Sequence, residues 1–150
     1  SKYGGNSSSV SSSLSSGVSQ IVGNHKSFAA IKNDSSVVTW GDSSNGGDSS
    51  SVADDLSSGV SKVFGNNESF TALKEDGSII TWGNPDYGGS CDGTLGAFAG
   101  FTDVFSTGVA FMALNKETGT AKCWGFRTSD LAGTSGEGCV DGRTNNGCCF

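Results

Sequence analysis

Trp40, Trp82 and Trp124 stand 42 residues apart, and Gly4-Gly5, Gly46-Gly47 and Gly88-Gly89 keep the same interval. A fixed period of this length is the mark of a repeat architecture. Three units follow, 1–42, 43–84 and 85–126, with a different tail over 127–150. Units one and two are identical at 24 of 42 positions. Unit three lacks one residue before Phe101 and gains one in the Asn115–Gly119 turn, so its length is unchanged. A unit this small cannot bury its own apolar face and must stack on its neighbours.

Within unit two, Asp48 is placed to cap a short helix carrying Val52 and Leu56 on one face, with Gly59 as its stop. Val60–Phe64 reads as a strand, Ser69–Lys74 as a second, and Ser78–Trp82 as a third, rich in β-branched residues. Glu75-Asp76-Gly77 is a tight hairpin turn between the last two. Unit one repeats the pattern with Val18–Val22, Ser27–Lys32 and Val37–Trp40. Unit three gives Phe101–Ser106, Ala110–Asn115 and Thr120–Trp124. The fold class is therefore all-β: three short blades of about three strands plus a helical turn. Trp40, Trp82 and Trp124, each followed by Gly41, Gly83 or Gly125, are the repeat anchors, because they return with the period.

The chain holds 27 serines and 24 glycines in 150 residues. Such a share suggests disorder on composition alone, but the ordered return of the apolar residues outweighs it. The formal net charge of −6 disfavours nucleic acid and anionic membrane surfaces, which attract clustered Lys and Arg. No apolar run approaches the length that spans a bilayer.

The segment Ala72-Leu73-Lys74-Glu75-Asp76-Gly77-Ser78, followed by Thr81-Trp82-Gly83, resembles the repeat of the regulator of chromosome condensation family. Unit one matches through Ala30-Ile31 and Trp40-Gly41, unit three through Ala113-Leu114 and Trp124-Gly125. The resemblance covers about residues 1–126 and implies propeller blades, seven to a ring in that family. The trimmed blade is similar in length to that of a secreted β-lactamase inhibitor of the same class. The family's His-Ser before the Ala-Leu strand stands here as Phe28-Ala29 and Phe70-Thr71, so no nucleotide-exchange residue is carried over. Closely similar Ser-rich Thr-Trp-Gly repeats belong to long tandem proteins of algae and cyanobacteria.

Propellers close with about four to eight blades, so three units form an open arc. Ser1 corresponds to Ser43 and Pro85, as though a preceding Trp-Gly-Asp were missing. The arc is then a fragment, one member of an assembly of copies, or a body resting on a partner. Unpaired strand edges are normally covered, which predicts a protein partner or further repeats of the same kind.

Five cysteines, Cys91, Cys123, Cys139, Cys148 and Cys149, fall in the last 60 residues. No Cys-x-x-Cys spacing occurs, and disulfides are favoured over zinc or free thiols. Cys139 and Cys148 flank a Gly/Asn-rich loop, Cys91 could pair with Cys123 or Cys149, and one cysteine is left over. The tail would then staple a cap over unit three. Disulfides imply an oxidising compartment, extracellular or an organelle lumen.

No catalytic residue is expected. His25 has Asn67 and Gly108 as its equivalents and reads as a loop residue. Asp42 and Asp48 bracket a faintly calcium-like loop that lacks a closing Glu, so a structural turn is favoured. No cofactor and no metal are expected. Tyr3 and Tyr87, beside the Gly-Gly pairs, are candidate contact residues. Asp54 and Asp55 are candidates for docking a basic partner, since unit two holds two Lys against six Asp or Glu. The leading function is a non-catalytic structural or protein-interaction subunit docked on a larger assembly through loops and open edges. The alternatives are a secreted ligand-binding, inhibitor or adhesion module of a longer propeller, and a lumenal accessory subunit peripheral to an algal photosynthetic membrane complex.

Overall fold

The computed structural model describes residues 3–90 and 100–125. Three separate antiparallel sheets follow one another along the chain, each built of three consecutive strands. The first holds β1 (Val18–Gly23), β2 (Ser27–Lys32) and β3 (Val37–Gly41). The second holds β4 (Val60–Gly65), β5 (Ser69–Lys74) and β6 (Ile79–Gly83). The third holds β7 (Asp103–Ser106), β8 (Ala110–Asn115) and β9 (Thr120–Gly125). They are open, propeller-like blades with no closed barrel among the described residues.

Where the strands differ from expectation, hydrogen bonds give the reason. Ser78 is drawn into the turn before β6, because its N–H and Oγ both donate to the Asp76 carboxylate. Phe101 precedes β7 rather than opening it, because the β7–β8 pairing begins only at Asp103↔Leu114; its N–H donates to the Gly77 carbonyl of the second sheet, 3.1 Å away. The helix expected after Asp48 shortens to a single 3-10 turn, Ser50–Val52. The N-cap position falls on Ser49, which makes no side-chain cap, and Asp48 stands one residue earlier, accepting from the Ser50 N–H at 2.9 Å. In unit one the same stretch runs a little further, as a 3-10 turn Ser8–Val10 and α1 (Ser11–Leu14). Pieces this short are held by packing and caps rather than by helix propagation. Lys74 Nζ donates to the Asp55 carbonyl, and Lys32 Nζ to those of Ser13 and Ser16, so a lysine from the middle strand satisfies the trailing carbonyls of each turn.

The hairpin before the third strand needs a left-handed residue. Gly77 supplies it at φ +80°, and a Cβ there would lie 2.4 Å from the Gly100 nitrogen of the next unit. Ser35 adopts the same conformation at φ +63° without glycine's freedom.

The apolar core lies between the sheets. Ala29 and Ile31 of the first pack against Leu56, Val60, Val63, Phe70, Ala72 and Trp82 of the second unit. Leu73 and Ile79 of the second pack against Phe101, Val104, Phe111, Ala113 and Trp124 of the third. The middle strand β5 thus feeds both joints, its alternate residues facing opposite neighbours. Burial of this alternating kind is the main favourable term.

Candidate interaction surface

Inside each blade an aromatic pair marks the repeat. Phe28 stacks on Trp40 at 5.3 Å between ring centres, Phe70 on Trp82 at 5.4 Å, and Phe111 on Trp124 at 5.8 Å. The first glycine of each Gly-Gly pair lies on the stack: Cβ atoms on Gly4, Gly46 and Gly88 would stand 2.9, 2.7 and 2.9 Å from ring atoms of Phe28, Phe70 and Trp124. The glycines after the tryptophans are equally tight. A Cβ on Gly41, Gly83 or Gly125 would approach the Cα of Ser27, Ser69 or Ala110 to 2.6, 2.8 and 2.5 Å. Trp82 Nε1 donates to the Gly46 carbonyl at 3.1 Å, whereas Trp124 Nε1 is buried without a hydrogen-bond partner among the described residues.

The loop that carries Gly-Gly is pinned from the other side by an asparagine and a serine. Asn24 Oδ1 accepts from the Lys26 and Ser27 N–H groups and from Ser27 Oγ, while its Nδ2 donates to the Asn45 carbonyl at 2.7 Å. Asn66 does the same to Glu68, Ser69 and the Tyr87 carbonyl, with Nδ2 2.6 Å from that oxygen. Ser27 and Ser69, both fully buried, donate to the same two carbonyls. Each blade therefore grips the loop leading to the next. Sequence reasoning missed this clamp, although Asn24/Asn66 and Ser27/Ser69 recur at the repeat interval. Unit three has Thr107 and Ala110 at those places, and Thr107 Oγ1 accepts only from nearby backbone, at Val109 and Ala110.

The residues singled out from sequence are spread over this framework. Tyr3 is largely exposed, whereas Tyr87 is half-buried and gives its carbonyl to the clamp. Asp54 and Asp55 are exposed on the turn before β4. Asp42 spends its carboxylate as a cap, accepting from the Ser44 N–H and from Asn45 Nδ2. The Asn45 side chain in particular holds the Asp42 carboxyl below the ordinary range. His25 is exposed between β1 and β2, and its N–H donates to the Asn67 carbonyl of the next blade. Cys123 lies on β9 opposite Met112. Cys91, Cys139, Cys148, Cys149 and the expected cap fall outside the described residues. Among the described residues no cluster of His, Cys, Asp or Glu is arranged to hold a metal ion, and no helix is long and apolar enough to cross a membrane.

The surface feature that stands out is apolar. Among the described residues, the large exposed hydrophobic ones are Tyr3, Ile21, Phe105, Val109 and Met112. Ile21 is on β1 of the first blade, and Phe105 and Met112 are on β7 and β8 of the last.

No family model matches the sequence, and no curated protein matches it. Solved structures do resemble the fold. Prp20p from Saccharomyces cerevisiae superposes with a TM-score of 0.56 at 17% identity, over 73% of this chain and 31% of its own. Human WBSCR16 gives 0.52 at 18% identity, over 72% and 33%. Yeast RCC1 (Prp20) bound to Kap60 gives 0.52 at 14%, over 75% and 30%. The chain thus spans about a third of the length of each. These neighbours are RCC1 and RCC1-like propellers, all-β, and the three sheets have the form of their blades.

Proposed function

We propose that the chain is a non-catalytic interaction subunit that docks on a larger assembly through its loops and the uncovered faces of its end blades. One observation carries the reading: the exposed large apolar side chains of the strands lie on the first and last blades, and the joints between blades are closed. Exposed apolar surface gathered in this way marks contact sites. The fold neighbours support it, since Prp20p is described with Gsp1p and histones, and yeast RCC1 with Kap60. The acidic balance favours a protein partner over nucleic acid.

The test is the native particle. Size-exclusion of the protein from its source, followed by lysine cross-linking, is expected to place it well above 15.1 kDa, linked to a different polypeptide through Lys26, Lys62 or Lys116. A native chain that elutes alone overturns the reading. We further propose that Cys123 pairs with a cysteine of the tail or with Cys91, in an oxidising compartment. The intact mass should then rise by two hydrogens per bond on reduction, and an unchanged mass refutes the pairing.

A further inference from the structure

Three Asn-x-Ser triplets occur in the sequence, beginning at Asn6, Asn33 and Asn67. The pattern is that of an acceptor for an N-linked glycan, a bulky polar group that belongs on a surface loop. The fold separates the three. Asn67 is half-buried at the second joint: its N–H donates to the Gly108 carbonyl, and a Cβ on Gly108 would lie 3.1 Å from its Nδ2. Ser69, the hydroxyl residue of that triplet, is fully buried and gives its Oγ to the clamp. Asn6 is exposed ahead of the first 3-10 turn. Asn33 is exposed in the turn between β2 and β3, beside the joint of blades one and two. Its N–H is anchored on the Gly17 carbonyl at 2.8 Å, which fixes the backbone and leaves the side chain to solvent.

The Asn33 turn also holds strain that its own closure does not require. Unit one has Asn33-Asp34-Ser35-Ser36 where unit two has Glu75-Asp76-Gly77-Ser78. Both turns are closed alike, by the N–H and Oγ of Ser36 on Asp34 and of Ser78 on Asp76. The two differences fall on the two positions that an acceptor triplet needs, the asparagine and the hydroxyl residue two places on. Ser35 takes its place at φ +63°, the one non-glycine residue with positive φ among the described residues. Glycine would relieve it, as Gly77 does at φ +80°. An observed backbone outlier of this kind points to function, and what serine brings there that glycine lacks is a hydroxyl.

We propose that Asn33 is the attachment site of an N-linked glycan. The co-reactant is an oligosaccharide carried on a polyprenyl diphosphate, handed over by a membrane-bound transferase. Asn33 Nδ2 forms the bond to the anomeric carbon, and the bond from that carbon to the diphosphate oxygen breaks. The amide gives up one proton, and the lipid diphosphate leaves. Ser35 is a positioning residue, its hydroxyl orienting the Asn33 amide in the transferase. The inference rests on the oxidising compartment proposed above, because such donors are used on the lumenal side of secretory membranes.

The native chain from its source decides. Peptide-N-glycosidase treatment in heavy-oxygen water releases an N-glycan and leaves a mass-labelled aspartate, and peptide mapping is expected to find that label at position 33. An unlabelled Asn33 overturns the inference, whatever Asn6 carries. The intact mass of the same sample, before and after reduction, separates the two failures. A mass that rises on reduction leaves the compartment standing and removes only the glycan, and an unchanged mass removes both. The full chain secreted from glycosylating cells gives the second readout. Ser35→Gly should lose one glycan increment relative to wild type, as should Asn33→Gln. Ser35→Gly keeps the turn, so its loss is not one of folding, which circular dichroism checks. A Ser35→Gly chain with the full wild-type increment overturns the assignment.

Discussion

Single residues show where this repeat is well made and where it is strained. Ser35 stands in the left-handed conformation that Gly77 takes in the next blade. An L-residue there costs about 1–2 kcal/mol, part of which glycine gives back in unfolded-state entropy. Ser35→Gly is therefore expected to stabilise the fold by about 0.5–1 kcal/mol, read as a raised midpoint in urea. Thr71 is fully buried, and its hydroxyl has no hydrogen-bond partner among the described residues. Its equivalent in unit one is Ala29. Thr71→Val removes the stranded hydroxyl and keeps the shape, so a gain of about 1 kcal/mol is expected in the same measurement, and a loss would mean that the hydroxyl finds a partner in solution.

At the scale of the element, the turns and clamps decide whether a blade holds its neighbour. Asn66 is buried, receives three donors on one oxygen and donates to the Tyr87 carbonyl. Asn66→Ala strands those donors and is expected to cost about 3 kcal/mol by urea unfolding, the scale of a broken buried network. The exposed turns respond to acid instead. Asp34 and Asp76 are held below the ordinary carboxylate range chiefly by the Ser36 and Ser78 side chains, Asp48 by the Ser50 N–H, and Asp103 by Lys116. Folded values below the unfolded one mean that the folded state prefers these groups charged. Their contribution is complete above the unfolded pKa of about 3.9 and fades as pH falls through the lower folded values. Stability measured by urea at stepped pH should hold down to about pH 5 and decline below about pH 4, more gently in Asp76→Asn. A decline that begins near neutrality would point to some other group.

Among the described residues, the middle blade is covered on both sides and the outer two on one. Amide exchange should therefore be slowest in β5, at Phe70–Leu73, and faster in β1 and β7. Equal rates in all three blades would show that the arc opens only as a unit. Much of this architecture was legible in the sequence. The return of Trp and Gly-Gly fixed the units, and β-branched runs such as Ile79-Ile80-Thr81 placed the strands to within a residue or two. Of the shifted ends, the one at Ser78 was set by the Asp76 carboxylate within the turn, while Phe101 bonds to Gly77 of another unit, which no local pattern reveals. The clamp was hidden for a related reason. Asn66 reaches a backbone carbonyl 21 positions away, and a carbonyl acceptor leaves no mark on the residue that owns it. The uncovered Ile21 face could not be told from the covered Val63 face, because the two strands read alike.

The clamp has one more outcome, and it concerns how such a chain can lengthen. Asn24 holds the stretch around Asn45, and Asn66 holds the stretch around Tyr87, each reaching 21 positions onward. A genetic duplication of any 42 consecutive positions between Gly5 and Gly88 therefore inserts a complete tie along with a complete sheet, wherever its ends fall. A copy of 41 or 43 whose seam falls between Asn24 and Asn45, or between Asn66 and Tyr87, would shift the tie by one position, so slippage within those stretches is tolerated only in whole steps.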